Sequence, residues 1–126
     1  MAEAILDASA LLALINQEPG ANKVAAVLPT ALMSSVNFSE VATVLHSIGM
    51  PIEDVRSALQ NLIEVIPFEE EHAVCAAELY GKTKHKGLSL GDRACLAVAH
   101  SLRLPVFTAD RAWAGLELGV RVHLIR

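Results

Sequence analysis

Short apolar runs alternate along the chain with longer stretches in which apolar residues recur every three or four positions. Ala4–Leu6, Ala31–Ser34 and Val106–Thr108 are runs of the first kind. A three- to four-residue apolar spacing marks one face of a helix, and strands that alternate with helices favour a parallel sheet covered by helices. The pattern therefore predicts an α/β domain.

Turn-forming and capping residues give the predicted boundaries. Predicted strands cover residues 4–6, 31–34, 65–66, 106–108 and 120–125, and predicted helices cover 8–15, 22–28, 37–48, 52–63, 69–81 and 90–102. Gly49 and Pro51 separate the third and fourth helices, because glycine tolerates a left-handed helix end and proline suits a first turn. The last helix is apolar nearly all round, so we expect it to be buried on more than one side.

Length and composition narrow the class of protein. The 126 residues suffice for one domain, residues 1–126, and 53% hydrophobic against 19% charged residues exclude a disordered chain. A small monomer has too little interior to bury so many apolar residues, so we expect a homodimer. No apolar stretch is long enough to span a membrane and the first residues lack the basic start of a signal peptide, so we expect no membrane association and a cytoplasmic location.

The two cysteines and the net charge exclude further classes. Cys75 and Cys95 lie in apolar segments and are expected to be buried thiols rather than a disulfide. His72 and Cys75 could share a helical face, but a structural zinc site needs four convergent ligands. The net charge of −4 argues against a protein that coats nucleic acid indiscriminately.

Four acidic residues stand at positions that favour a common pocket. Asp7 follows the first strand, Asp110 comes two residues after the fourth strand, and Glu40 and Asp92 lie in first turns of helices. In a parallel sheet the two strand-end acids lie at the carboxyl edge, where such folds bind ligands. Each acid could instead act only as a helix cap or turn residue. Asp54, on an ordinary solvated helix face, serves as a comparison.

Taken together, the four acids favour a metal site. Carboxylates focused on one pocket repel each other unless a cation neutralises them. Ligand sets made of oxygen alone select hard cations, so the sequence predicts Mg²⁺, with Mn²⁺ as an alternative.

The segments around these acids resemble the PIN-domain family, and most closely its VapC-type toxin ribonucleases of bacterial toxin–antitoxin pairs. The resemblance covers essentially the whole chain and rests on four motifs in order, ILDASALLAL (5–14), SSVNFSEV (34–41), LSLGDRACLA (88–97) and FTADR (107–111). It implies a three-layer α/β fold with helices on both faces of a central, mostly parallel five-stranded sheet in the order 3-2-1-4-5. One departure is Ala8, where the family often has threonine, although Ser9 keeps a hydroxyl nearby.

The resemblance also implies the site and the reaction. Asp7, Glu40, Asp92 and Asp110 are implied to be the catalytic, metal-binding acids, and the residues implied to support them are Ser9, Asn37 and Thr108. The implied activity is a Mg²⁺-dependent endoribonuclease in which water attacks phosphorus in line and leaves a 5′-phosphate and a 3′-hydroxyl. The implied partners are an RNA substrate and a cognate antitoxin protein.

Two other functions stay open from the sequence. One is a PIN-domain ribonuclease with a housekeeping role and no antitoxin. The other is a Mg²⁺-binding phosphoacceptor signalling module, which also clusters acids at strand ends. Such modules resemble one another in having adjacent acids after the first strand, whereas Asp7 stands between Leu6 and Ala8.

Basic residues flank the two later acidic motifs. Lys84, Lys86, Arg93 and Arg111 lie near Asp92 or Asp110 in the sequence, and we expect them to contact RNA phosphates, with a solvated loop as the alternative. With few aromatic residues in the chain, recognition is expected to depend on RNA shape and backbone.

Residues 87–91 contain a motif of a different enzyme class. The segment GLSLG matches the G-x-S-x-G nucleophile elbow of serine hydrolases, and Asp110 and His123 follow in the right order. An elbow must follow an apolar strand, whereas residues 82–86 are strongly polar. We therefore expect Ser89 to be a helix N-cap.

Overall fold

The computed structural model describes residues 1–126 and contains five strands, six helices and three short 3₁₀ turns. The strands are β1 (Ala4–Leu6), β2 (Ala31–Ser34), β3 (Glu64–Ile66), β4 (Val106–Thr108) and β5 (Val122–Leu124). The helices are α1 (Ala8–Ile15), α2 (Ala21–Val27), α3 (Ser35–Ser47), α4 (Ile52–Gln60), α5 (Glu70–Thr83) and α6 (Leu90–Leu102). The 3₁₀ turns are Leu28–Thr30, Lys84–Lys86 and Arg111–Trp113. No helix is both long enough and apolar enough to cross a bilayer.

The five strands form one sheet in the order β3-β2-β1-β4-β5, and all four pairings are parallel. The predicted order is confirmed, and the sheet is parallel throughout rather than mostly parallel. The strand order reverses between β1 and β4, which places a crevice at the carboxyl ends of these two strands.

Two hydrophobic cores fill the spaces on the two faces of the sheet. Along β1 the side chains alternate, with Ala4 and Leu6 in one core and Ile5 in the other. Helices α1 to α4 contribute to the first core, and α5 and α6 contribute to the second. Six consecutive residues of α6, numbers 94–99, are buried, as its apolar sequence predicts. The predicted three-layer architecture is therefore confirmed.

Several predicted boundaries differ from the observed ones for local reasons. Helix α3 begins two residues earlier than predicted, because the Ser34 hydroxyl accepts a hydrogen bond from the Val36 amide at 3.2 Å and caps the helix. Helix α5 continues through Gly81 to Thr83, whose hydroxyl donates to the Leu79 carbonyl at 2.9 Å. One glycine costs a helix about 1 kcal/mol, which packing of the following turn can offset.

Two other elements are shorter than predicted. Helix α4 ends at Gln60, and Ile63 is buried in the turn that leads to β3. Strand β5 is limited to Val122–Leu124 because only three of its residues pair with β4.

The cysteines and His72 have ordinary structural roles. Cys75 and Cys95 are both free thiols. Cys95 is fully buried, whereas Cys75 is only partly buried, so the expectation of two buried thiols is correct for Cys95 alone. The His72 ring accepts a hydrogen bond from the Glu69 amide at 2.9 Å and completes the capping box of α5. His72 is thus used at the start of a helix.

Candidate metal centre

Asp7 lies at the carboxyl end of the central strand β1 and is 4% exposed. Its carboxylate caps α1 by accepting the Ala10 amide at 2.8 Å. The Ser9 hydroxyl lies 2.8 and 2.9 Å from the two carboxylate oxygens, and the Thr108 hydroxyl of β4 donates to Oδ2. Ser9 and Thr108 therefore both contact the Asp7 carboxylate.

The hydrogen bonds to Asp7 leave part of its carboxylate free. Two oxygens offer about four lone pairs, and the Ser9 hydroxyl has a single proton to share between them. When Ser9 and the Ala10 amide both donate to Oδ1, only Thr108 donates to Oδ2. One lone pair of Oδ2 then has no protein donor.

The protonation of Asp7 is strongly affected by its surroundings. Burial raises the pKa of Asp7 to about 6 from 3.8, although hydrogen bonds from Thr108, Ala10 and Ser9 oppose the change. The charge of Asp92 raises it further. Desolvation therefore outweighs three hydrogen bonds, which means that the ionised form of Asp7 is under-stabilised by the protein alone.

Thr108 and Asp110 bring the end of β4 to the same crevice. The Asp110 amide donates to the Thr108 hydroxyl at 3.0 Å, and the Ala109 amide donates to the Ser9 hydroxyl at 2.9 Å. Asp110 Oδ1 in turn accepts the Ala112 amide at 2.9 Å and caps the 3₁₀ turn Arg111–Trp113. Its Oδ2 accepts no hydrogen bond from the protein.

Asp92 projects from the first turn of α6. It forms a reciprocal capping box, in which its Oδ2 accepts the Ser89 amide at 2.9 Å and its own amide donates to the Ser89 hydroxyl at 3.1 Å. Burial raises the pKa of Asp92, and the nearby charge of Asp110 adds to this effect. Asp92 Oδ1 accepts no hydrogen bond from the protein.

Glu40 is held by Asn37, which lies one helical turn before it on α3. The buried Asn37 amide donates to Glu40 Oε1 at 2.8 Å and to the Gly91 carbonyl of α6 at 3.0 Å. Asn37 therefore joins α3, which carries Glu40, to the first turn of α6, which carries Asp92. Glu40 Oε2 accepts no hydrogen bond.

Three of the four predicted acids are close enough to influence a common neighbour. Burial raises the pKa of the Cys95 thiol well above its usual value, and the charges of Asp7, Asp92 and Glu40 contribute to the increase. Asp110 is linked to the group through its effect on Asp92. The only ion pairs in the structure are Arg56–Glu53 and Arg126–Glu18, so none of the four carboxylates is paired with a cationic side chain.

The chemistry of these donors fits a divalent cation. No three histidine, cysteine, aspartate or glutamate side chains are grouped closely enough to hold an ion on their own. Mg²⁺ commonly uses one or two protein carboxylates together with water and phosphate oxygens, so it does not need three. The site combines adjacent unpaired carboxylates with a free oxygen on each, and all the oxygens are hard donors.

The four basic residues predicted to contact RNA differ in their surroundings. Lys84 and Lys86 are exposed in the 3₁₀ turn before α6, and Arg111 is exposed beside Asp110. Arg93 points instead toward α5, where its guanidinium donates to the Ala76 carbonyl at 2.9 Å and lies 5.5 Å from the centre of the Tyr80 ring. Arg93 is therefore used to join α5 to α6.

The serine-hydrolase motif does not form a nucleophile elbow. A 3₁₀ turn rather than a strand precedes Ser89, and the Ser89 hydroxyl is the N-cap of α6. His123 stacks on Phe107 with their ring centroids 4.8 Å apart. Ser89 is a helix cap, as predicted.

Two features of the site were not predicted from the sequence. Gly91 lies directly against the Glu40 carboxylate, and Cys95 lies within reach of three acidic charges. A glycine in the first turn of an otherwise apolar helix is the only sequence signal for the first feature. Nothing in the sequence distinguishes Cys95 from other buried residues of α6.

Comparison with known proteins identifies the family of the chain. A model of the PIN domain matches residues 4–117. No curated protein sequence gives a significant match.

Solved structures share the fold over nearly the full length of the chain. A toxin–antitoxin complex from Klebsiella pneumoniae superposes with a TM-score of 0.80 at 23% identity, covering 98% of both chains. DNA-bound VapBC from Salmonella typhimurium gives a TM-score of 0.76 at 16% identity, covering 100% of both chains. VapC20 of Mycobacterium tuberculosis, a toxin that cleaves the sarcin–ricin loop, gives 0.74 at 19% identity and covers 94% of this chain and 99% of its own. With a family match that runs from β1 past the last predicted acid, the chain belongs to the PIN domain family.

Proposed function

We propose that the protein is a Mg²⁺-dependent endoribonuclease that acts as the toxin of a toxin–antitoxin pair. The observation that carries the proposal is a set of four carboxylates, each linked electrostatically to another of the set or to their neighbour Cys95, none of which is paired with a cationic side chain. Membership of the PIN domain family and the fold shared with VapC20 support a nuclease.

The proposed reaction is hydrolysis of an RNA phosphodiester bond. A Mg²⁺ or Mn²⁺ ion bound there lowers the pKa of water and offsets charge on the scissile phosphate. Asp7 and Asp92 hold the cation in this proposal, and Glu40 and Asp110 bind a second cation or orient water. Water oxygen bonds to phosphorus as the bond from phosphorus to the 3′ oxygen breaks, which leaves a 5′-phosphate and a 3′-hydroxyl.

Ser9, Asn37 and Thr108 orient the acids by the hydrogen bonds described above. Ser9 and Thr108 fix Asp7, while Asn37 fixes Glu40. Buried hydroxyl and amide groups of this kind restrict the rotamers of the carboxylates, so that the free oxygens keep their places between turnovers.

Three exposed cations are suited to bind the substrate. Lys84, Lys86 and Arg111 lie near Asp92 or Asp110 in the sequence and are exposed, so we assign them to RNA phosphates. The Arg111 guanidinium also donates to the Arg126 carbonyl at 2.9 Å, but this bond lies at the exposed surface. Arg93, which the sequence also suggests for this role, is less suited because its guanidinium already bonds α5.

An antitoxin partner is proposed from the structural neighbours, several of which are toxin–antitoxin complexes. A groove of about 360 Å³ between α3 and α4 is lined by residues that include Phe38, Ala42, Ile52 and Val55. We assign this groove to an apolar segment of the antitoxin, whose basic side chain then reaches the carboxylates. Arginine is suited to this contact because its planar fork matches a carboxylate.

We also propose that the protein is a homodimer that associates through helical surfaces. Large apolar side chains are exposed on four helices, which is unusual for a small monomer. They are Val44 on α3 and Ile48 directly after it, Ile52 on α4, Val74 and Tyr80 on α5, and Leu90 and Leu102 on α6.

Removing either central carboxylate should abolish activity. We expect Asp7→Asn and Asp92→Asn each to lower Mg²⁺-dependent cleavage of RNA by more than about 100-fold, because each loses a ligand charge while keeping its shape. Far-ultraviolet circular dichroism should show an intact fold. Asp54→Asn, on the exposed face of α4, is the matched control and should cleave normally. Full activity of Asp7→Asn would exclude the assigned site.

The pH dependence of stability in chelator should report the burial of Asp7. Because the pKa of Asp7 is about 6 in the folded protein and near 3.9 when unfolded, the native state binds the proton more tightly. Protonation of Asp7 therefore adds about 3 kcal/mol to the free energy of unfolding. This contribution is fully present below about pH 4 and is lost as the pH rises to about 6. The difference in Tm between Asp7→Asn and wild type should therefore grow between pH 4 and pH 7 in favour of the variant.

Divalent cations should reverse this loss at neutral pH. Added Mg²⁺ or Mn²⁺ is expected to raise the Tm of the wild type by binding the native state, and to raise that of Asp7→Asn much less.

A pH profile of Tm in chelator that Asp7→Asn leaves unchanged would show that burial of Asp7 does not affect stability.

The dimer should persist at working concentrations. Light scattering at micromolar concentration is expected to give twice the mass of the 126-residue chain. A monomer mass under these conditions would contradict the proposed assembly.

The antitoxin complex should respond to magnesium. If a basic side chain of the partner occupies the carboxylates, its affinity should fall as Mg²⁺ rises at constant ionic strength, since both compete for the same oxygens. The decisive measurement is a Mg²⁺ titration of the binding constant with wild type and Asp92→Asn. If neither Mg²⁺ nor Asp92→Asn changes the affinity, the partner blocks RNA access elsewhere.

A further inference from the structure

Gly91 lies one residue before Asp92 in the first turn of α6 and is in close contact with Glu40. A Cβ atom at position 91 would lie 2.5 Å from Glu40 Oε2, 2.6 Å from Cδ and 2.7 Å from Oε1. These distances are shorter than any tolerated contact, so the Glu40 carboxylate rests in the space that a side chain at residue 91 would fill.

The backbone does not explain the glycine. Five glycines have positive φ angles, at positions 20, 49, 87, 115 and 119, whereas Gly91 has helical geometry. Alanine at an ordinary helical position is more favourable than glycine. What position 91 requires is therefore the absence of a side chain.

Asn37 fixes Glu40 from the other side. Its two amide protons are both used, one on Glu40 Oε1 at 2.8 Å and the other on the Gly91 carbonyl at 3.0 Å. The reversed amide would set Oδ1 against two acceptors, so only one orientation is stable. This orientation is kept even though it leaves Asn37 Oδ1 buried without a hydrogen-bond partner, which is unfavourable in itself.

An exposed glutamate ordinarily samples many rotamers. Glu40 is exposed, yet its carboxylate is confined between the Asn37 amide and the backbone of α6. We propose that Gly91 and Asn37 form a seat for the Glu40 carboxylate and are positioning residues for the metal centre. The seat is a feature of the metal-free fold, while its effect on metal binding rests on the proposed function.

The seat itself can be tested without metal or substrate. In ¹H–¹⁵N spectra of the metal-free protein, the Asn37 side-chain amide, assigned by its loss in Asn37→Ser, should shift in Gly91→Ala and in Glu40→Ala. Gly81→Ala is the matched control, because Gly81 is also in a helix and a Cβ there meets nothing within 4 Å. An Asn37 signal that Gly91→Ala leaves unchanged would overturn the seat.

Gly91→Ala is expected to fold, because the far end of a flexible side chain can move away from the new methyl group. Its melting temperature in chelator, compared with that of Gly81→Ala, checks this directly. If Gly91→Ala is unfolded, the methyl group has not simply displaced Glu40, and Asn37→Asp then becomes the second variant. That change keeps the shape of residue 37 but removes both amide donors, so it should release the Glu40 carboxylate and lower Mn²⁺ affinity.

The role of the seat is measured by a double-mutant cycle of Mn²⁺ affinity, followed by calorimetry. Gly91→Ala should weaken Mn²⁺ binding by about 10- to 100-fold in the wild-type background, and should have no further effect in Glu40→Ala. An equal loss in both backgrounds would show that Gly91 acts through Asp92 or the helix, and would overturn the proposed role.

Failure of the proposed function gives a different result. If the wild type binds no Mn²⁺, the metal centre is wrong, while the Asn37 amide signal still decides whether the seat exists. RNA cleavage by Gly91→Ala and Gly81→Ala completes the comparison, with a loss expected only in Gly91→Ala.

Discussion

The charge of Asp7 is buried at the end of the central strand, and the neighbouring structure is arranged around it. A buried carboxylate must receive hydrogen bonds, and Asp7 takes them from the first turn of α1 and from the end of β4. Ser9 adds a further link, since its hydroxyl donates to Asp7 and accepts the Ala109 amide. The same contacts that satisfy the charge therefore join β1, α1 and β4 at the crevice where the strand order reverses.

These contacts do not fully compensate for burial. The pKa of Asp7 stays near 6 despite three groups of hydrogen bonds, so ionising it at neutral pH lowers the stability of the fold. In the proposed function a cation bound in the crevice supplies the missing stabilisation of the ionised carboxylate. Stability at neutral pH and cation binding are then linked through Asp7.

Helix capping and the proposed cation binding are compatible uses of the same acids. Asp92 and Asp110 each direct one oxygen to a backbone amide and leave the other without a protein donor. The capping bond fixes the side-chain rotamer, and so it also fixes where the free oxygen lies. A carboxylate at a helix start can therefore cap the helix and still offer one oxygen to a cation.

Much of the site could be predicted because it follows from strand ends and helix starts. Asp7 and Asp110 are placed by the parallel sheet alone, since each comes within two residues of a strand end. The seat of Glu40 could not be predicted, because it depends on how closely α3 approaches α6, and the hydrophobic pattern does not encode that distance. The direction of the Arg93 side chain could likewise not be predicted, because the exposure of a long side chain depends on its tertiary neighbours, here Ala76 and Tyr80.

The charge distribution bears on the proposed action on RNA. With a net charge of −4 and no cationic side chain paired with the four carboxylates, the surface around these acids repels a phosphate backbone. Lys84, Lys86 and Arg111 are exposed cations close to Asp92 or Asp110 in the sequence. In the proposed function the repulsion is removed where the reaction occurs, because divalent cations in the crevice reverse its local charge. The acids that destabilise the metal-free fold are then the groups that make RNA binding depend on the metal.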